Sequence, residues 1–179
     1  MTFCLPKLSC AIRWWSTLVP DSAPRIGIGW DRHALVEGRP CILGGVEIPN
    51  EVGPNGHSDA DALLHALCDA LLGAAGLDDL GTLFPDTDPK WKGAASTQFV
   101  EAAVALLHAQ NLVVASADLV VICDTPKVAP HRAAIRANLA QMLDLPVSRV
   151  NLKGKTTEGG SSGAVEVQAV VILTARSKA

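Results

Sequence analysis

The order in which strand-length and helix-spaced apolar segments alternate constrains this chain most. Ser58 to Gly76 carries apolar side chains at Ala60, Leu63, Leu64, Leu67, Leu71 and Ala74, the spacing of one helix face. Ser58 is placed to cap that helix, with Asp61 three residues later in the manner of a capping box. The spacing predicts two further helices. One covers Ser96–Asn111, with Phe99, Ala103, Leu106 and Leu107 inward; the other covers Pro130–Leu143, with Ile135, Leu139, Met142 and Leu143 inward. Strand-length runs lie between them: Arg25–Trp30, ending in a Gly-rich turn, then Ala117–Cys123, Val150–Lys153 and Val165–Thr174. Cys41–Ile48 reads as one more strand, interrupted at Gly44-Gly45 by a bulge or a close approach. Such alternation indicates an α/β fold of the α+β sandwich kind, one sheet covered by helices.

A length of 179 residues suits one domain. Pro20 and Pro24 close an N-terminal segment, so residues 1–24 are expected to be a disordered extension and residues 25–179 the folded domain. Charged residues make up 18%, against a usual share of about 25%. That excludes intrinsic disorder and suggests surface hidden in an oligomer. Fifteen basic against eighteen acidic side chains leave no positive stripe for a phosphate backbone. Without tyrosine, and with three Phe and four Trp, there is no stacking platform, so nucleic acid is not an expected partner. The longest stretch free of Asp, Glu, Lys and Arg, Ala102–Ala117, is 16 residues, short of the roughly 20 a membrane span needs. Cys4, Cys10, Cys41, Cys68 and Cys123 form no CxxC pair and read as the reduced thiols of a cytoplasmic protein.

Five places carry candidate chemistry. Asp31 and His33 are two residues apart, so on an extended segment they point the same way, an oxygen–nitrogen pair suited to zinc. Asp61, His65 and Asp69 form a polar stripe at helical spacing, and His65 would complete a two-histidine, one-carboxylate set with an open fourth position. Gly56-His57-Ser58 precedes the same helix, where free N–H groups and the helix dipole attract anions. Asp79-Leu80-Gly81 and Phe84-Pro85-Asp86-Thr87-Asp88 make a carboxylate-dense loop, which an ordinary solvated turn would also explain. Finally, Lys155-Thr156-Thr157-Glu158 follows a strand, with hydroxyls and a lysine for phosphate oxygens and a glutamate for Mg²⁺ or Mn²⁺.

Taken in order, GWDRHAL, GGVEIP, GHSDADALLHALCDALLGAAG, DDLGTLFPDTDPKWKG, DTPKVAPH and NLKGKTTE resemble the 2-C-methyl-D-erythritol 2,4-cyclodiphosphate synthases of the non-mevalonate isoprenoid pathway, over about residues 25–175. The resemblance implies a homotrimer with active sites between subunits and a ferredoxin-like mixed sheet with helices on one side. It implies a metal-dependent, CMP-releasing lyase that cyclises 4-diphosphocytidyl-2-C-methyl-D-erythritol 2-phosphate. Carried over by motif, Asp31, His33 and His65 would hold zinc, and Glu158 a Mg²⁺ or Mn²⁺ on the diphosphate. His57 and Thr156 would stabilise the transition state, and Ser58 would contact phosphate. Asp79, Leu80, Gly81 and the segment Phe84, Pro85, Asp86, Thr87 and Asp88 would lie along the methylerythritol. The segment Cys123, Asp124, Thr125, Pro126, Lys127, Val128 and Ala129 would form the cytidine pocket, and Lys155 and Thr157 would also bind substrate, Lys155 through the diphosphate.

Two departures from the family stand out. Lys155 occupies a position where the family commonly has Thr. After Glu158 the chain runs GGSSGAVEVQ, shorter than the family's segment and without its Phe and Arg, so no axial ligand site is carried over. Two other functions fit the same residues: a zinc phosphohydrolase using metal-bound water, and a catalytically silent trimeric CDP-binding module.

Overall fold

The structure is a computed structural model that describes Pro20, residues 22–160 and residues 163–176. The expected N-terminal extension therefore lies almost wholly outside the described residues. In chain order the elements are β1 (Arg25–Glu37), β2 (Cys41–Leu43), β3 (Val46–Ile48), β4 (Val52–Pro54), α1 (Ala62–Ala75), α2 (Leu80–Leu83), α3 (Thr97–Ala109), β5 (Leu112–Ile122), α4 (Arg132–Met142), β6 (Val150–Lys155) and β7 (Ala164–Ala175). Five strands form one mixed sheet in the order β4-β1-β7-β5-β6. Only β5 and β6 are parallel neighbours; β7 runs antiparallel between β1 and β5, which therefore run parallel to each other. That is a split β–α–β arrangement, with α1 to α3 in the crossover.

Residue alternation decides which face of the sheet is covered. Leu119 and Val121 of β5, Val150 and Leu152 of β6, and Val165, Val167, Ala169, Val171 and Leu173 of β7 are buried, with α1, α3 and α4 contributing to the same core. The opposite face leaves Ile26 (71%), Ile28 (73%), Trp30 (55%) and Val170 (41%) exposed. Ile28 and Val170 pair directly across β1 and β7, and Trp30 Nε1 donates to Glu166 Oε1 at 3.0 Å.

Two glycines set how close α1 comes. A Cβ on Gly27 would lie 1.9 Å from the Ala70 carbonyl oxygen, and one on Gly29 1.9 Å from that of Ala66. Strand β1 can lie directly on the backbone of α1 only because both positions lack a side chain. Helix α1 begins at the Asp61 cap, whose carboxylate accepts from Leu63 N and Leu64 N. It ends at left-handed Gly76 with a Schellman bond from Leu77 N to Leu72 O, 3.0 Å.

Several boundaries differ from the sequence expectation. Strand β1 does not stop at Trp30 but runs to Glu37, since pairing with β7 continues through Ala34. Cys41–Ile48 is not one bulged strand but the hairpin β2–β3, because Gly44 and Gly45 both take positive φ. Leu106 of α3 is 38% exposed and Val100 takes the buried place, a shift of the helix face that periodicity alone could not resolve. Cys41, Cys68 and Cys123 are buried free thiols, and burial pushes Cys68 up to about 12. Such a thiol packs and does not react.

Candidate metal centre and substrate cleft

Strand alternation past Gly27 and Gly29 carries Asp31 and His33 onto the face toward α1, where His65 projects from the second turn of that helix. Asp31 Oδ2 lies 2.9 Å from His33 Nε2 and 3.0 Å from His65 Nδ1, and the two ring nitrogens are 3.2 Å apart. Four ligands around zinc at the usual bond lengths stand about 3.3 Å from one another. The triangle therefore has the size, and the N₂O donor set has the chemistry, of three tetrahedral ligands with a fourth position open. His33 Nδ1 lies 2.7 Å from the Asn55 carbonyl oxygen and donates there, which leaves Nε2, beside Asp31, as the nitrogen that takes either a metal or a second proton shared with the carboxylate. Burial alone would raise the Asp31 carboxyl, but hydrogen bonds and charge from His33 and His65 hold it well below the usual carboxylate range. For His33 burial lowers the value, and the bond and charge of Asp31 raise it past its ordinary one.

The triad opens into a cavity of about 430 Å³ whose wall includes His57, Ser58, Leu80, Gly81, Phe84 and Asp86. An aromatic cluster shapes its floor: Phe84 stands 4.8 Å from Phe99 and 5.2 Å from Trp91, ring centre to ring centre. Ser58 Oγ reaches His65 Nε2 at 3.1 Å, and Ser96 Oγ reaches the same atom at 2.9 Å. Asp79 and Asp88 spend their carboxylates locally, Asp79 on Thr82 N (2.8 Å) and Asp88 on Lys90 N (3.1 Å). They shape the loop on which Pro85, Asp86 and Thr87 are carried.

A second, smaller cavity of about 150 Å³ opens at the carboxyl ends of the parallel pair β5 and β6. It is lined by Cys123, Pro126, Lys127, Val128, Ala129, Gly154, Lys155 and Thr156. Carboxyl ends of adjacent parallel strands are where open α/β sheets commonly bind ligands. Asp124 ties the two loops together, accepting from Thr157 N (3.1 Å) and Thr157 Oγ1 (2.6 Å). Thr125 Oγ1 donates to Asn50 Oδ1 at 2.9 Å, and Thr156 Oγ1 donates to Glu158 Oε1. Glu158 itself sits in the left-handed region, φ 52°. The two cavities share no lining residue.

A family model described as the YgbB family matches residues 24–174. The chain belongs to the YgbB family. It is 48% identical over 139 residues to the 2-C-methyl-D-erythritol 2,4-cyclodiphosphate synthase of Aquifex aeolicus (strain VF5), covering 78% of this chain and 89% of that protein. A solved 2C-methyl-D-erythritol-2,4-cyclodiphosphate synthase in its CDP-bound form superposes with a TM-score of 0.80 at 48% identity, covering 83% of this chain and 99% of that one. The CDP complex of the IspF of Plasmodium falciparum gives 0.76 at 33% identity, covering 87% and 99%. Among the described residues no helix is long and apolar enough to cross a membrane.

Within this YgbB-family chain the structure gathers Asp31, His33 and His65 into one cluster with His57 and Ser58 nearby, and gathers the 123–129 and 154–156 segments into another. Three sequence readings need correction. Ser58 does not cap α1; its Oγ accepts from Ala60 N at 3.1 Å and faces His65, and Asp61 is the cap. The first amides of α1 are not free for an anion, because the Asp61 carboxylate occupies them. Nor do Asp61, His65 and Asp69 form one stripe. Asp61 is fully buried and also accepts from Gly44 N and Gly45 N, pinning the β2–β3 hairpin, and burial pushes it up to about 6 against the pull of those donors. Asp69 accepts from Leu80 N at 2.8 Å. Sequence reasoning missed Asn55, Asp59 and Ser96, which hold the two histidines. Ser96 stands 31 residues from His65, and no spacing rule joins them.

Proposed function

We propose that this chain converts 4-diphosphocytidyl-2-C-methyl-D-erythritol 2-phosphate to 2-C-methyl-D-erythritol 2,4-cyclodiphosphate with release of CMP, in the cytoplasm, as a homotrimer built from residues 25–179. The observation that carries this reading is the Asp31–His33–His65 triangle opening onto a cleft, in a chain about half identical to synthases of that name. An oxygen of the 2-phosphate attacks the β-phosphorus; the new O–P bond closes the ring as the bond to the α-phosphate breaks, and the CMP phosphate carries away the electron pair. A zinc ion on Asp31, His33 and His65, and a Mg²⁺ or Mn²⁺ on Glu158, would supply fixed positive charge for the two phosphoryl groups.

The chain's own residues do the rest. Both reacting groups are anionic, so the barrier falls by positioning and charge neutralisation rather than covalent help. His57 and Ser58 lie at the rim of the metal cleft, within reach of a phosphate bound there. Lys127, Lys155 and Thr156 offer two cations and a hydroxyl to the nucleotide phosphates. The aromatic floor of Phe84, Trp91 and Phe99 excludes water from the carbon skeleton. One substrate has to span both cavities, and an assembly that sets one protomer's metal cleft beside its neighbour's nucleotide pocket satisfies that need.

Incubating the purified protein with zinc, Mg²⁺ and the CDP-linked substrate tests the proposal. CMP and the cyclic diphosphate are expected in equal amounts. CMP or phosphate with a linear product would instead identify a phosphohydrolase, and tight CDP binding without turnover a silent binding module.

A further inference from the structure

His65 uses its two ring nitrogens in opposite directions. Nδ1 faces Asp31 and His33, and Nε2 faces Ser96 Oγ at 2.9 Å and Ser58 Oγ at 3.1 Å. A neutral imidazole carries its proton on only one of these atoms, and only the lone pair can bind a metal. Asp31, an acceptor, draws the ring proton to Nδ1, so the neighbours of Nε2 have to compete with it to leave Nδ1 available.

Ser58 does not decide it. Its Oγ accepts from Ala60 N, and its own proton is free to turn either way. Ser96 is different. It is fully buried at the start of α3, where a serine ordinarily turns its Oγ onto the first amides of the helix. Ser96 makes no such bond. Its hydroxyl lies instead between His65 Nε2 and Asp59 Oδ1. The Asp59 carboxylate also accepts from Ser96 N (3.0 Å) and Asp61 N (3.2 Å), so it faces donors on every side. A carboxylate has only acceptors to offer, so the single Ser96 hydroxyl proton points at Asp59 and the oxygen lone pair points at His65. Left-handed Ala60, φ 59°, lets Asp59 turn toward Ser96 while Asp61 turns to the hairpin.

We propose that Asp59 and Ser96 are positioning residues that favour the Nε2–H tautomer of His65 against the pull of Asp31 on Nδ1 and so present the Nδ1 lone pair to the metal. The inference rests on the metal reading of Asp31, His33 and His65 and deepens it. Outer partners of this kind typically change metal affinity by about 10–100-fold. Replacing Asp59 by Ala removes the acceptor of the Ser96 hydroxyl. That proton can then swing to His65 Nε2, which moves the ring proton toward Nδ1.

Two measurements test this. Long-range ¹H–¹⁵N spectra of the metal-free protein report the tautomer directly. Wild type should show a larger share of the Nε2–H form of His65 than Asp59→Ala. Zinc titrations against a chromophoric chelator should give affinities about 10–100-fold weaker for Asp59→Ala and Ser96→Ala. Ser96→Thr keeps the hydroxyl and should stay within about threefold of wild type by the same argument. Excess zinc should restore turnover to Ser96→Ala, which a generally damaged fold would not allow. An unchanged tautomer share in Asp59→Ala with wild-type zinc affinity would overturn the proposal. So would equal zinc affinities for the Ala and Thr variants at Ser96, a comparison that stands even if Asp59→Ala fails to fold. A wild-type protein that binds no zinc would overturn the metal reading, while the metal-free spectra would still decide the tautomer.

Discussion

Asp31 and the two histidines bring opposite charges together at the mouth of the cleft, and their titration follows from that contact. His33 titrates higher in the folded chain than in the unfolded one: burial, the largest single effect, lowers it, but the hydrogen bond and charge of Asp31 and the Asn55 carbonyl together raise it further. Its pairing therefore stabilises the metal-free protein below the unfolded value of about 6.5 and is lost as pH rises through the raised folded value. A metal on Nε2 has to displace that proton. Zinc affinity is expected to strengthen as pH rises from about 6 to 8, with proton release on binding measured by calorimetry in buffers of different ionisation enthalpy. A flat pH profile would contradict the role of His33. His65→Ala removes one of the three proposed ligands, so bound zinc and turnover should both disappear while the far-ultraviolet circular dichroism stays unchanged. Asp31, His33 and His65 were legible in the sequence because period-two and helical spacing bring like-facing residues together. Asp59 and Ser96 were not, because a contact between a loop and the start of a distant helix leaves no periodic trace.

At the scale of elements, the approach of β1 to α1 does most to build the centre. Gly27, Gly29, Asp31 and His33 share one face of β1, so the glycines that admit the helix backbone also bring the ligands up to His65. Gly29→Ala would drive a methyl group into the Ala66 carbonyl. The expected cost is about 3 kcal/mol, or roughly 6–12 °C in Tm for a domain of this size, read by thermal melting. Zinc affinity should fall in the same variant, because the strand cannot withdraw from α1 without carrying Asp31 with it. A wild-type Tm would show that β1 and α1 are not packed this closely. The helices themselves were legible from spacing, apart from ends such as that of α1, where Asp61 rather than Ser58 provides the cap. The β2–β3 hairpin was not, because two adjacent glycines read equally as a bulge or a turn until Asp61 is seen accepting from both amides.

Across the whole molecule, one face of the sheet is closed by helices and the other presents Ile26, Ile28, Trp30 and Val170 side by side. The proposed homotrimer gives that face an occupant, a neighbouring copy. Ile28→Asp would place a charge at its centre, and burying an unpaired charge is costly enough to favour separate chains. The variant is expected to sediment as a monomer and to lose turnover, since in the proposed trimer each substrate spans cavities from two protomers, while keeping zinc on its intact triad. A trimeric, active Ile28→Asp protein would rule out assembly through this face.

The sequence by itself determined the alternation of strands and helices, the membership of Asp31, His33 and His65 in one candidate set, and the motifs that mark the family. These are local or periodic properties, and a chain carries them whether or not it is folded. Only the tertiary structure decided which carboxylate caps and which one clamps, that the amides of α1 are already occupied, and that the binding residues fall into two separate cavities. Those outcomes depend on which groups compete for the same donors once loops and elements far apart in the chain are packed together. That competition has no counterpart in the order of the residues.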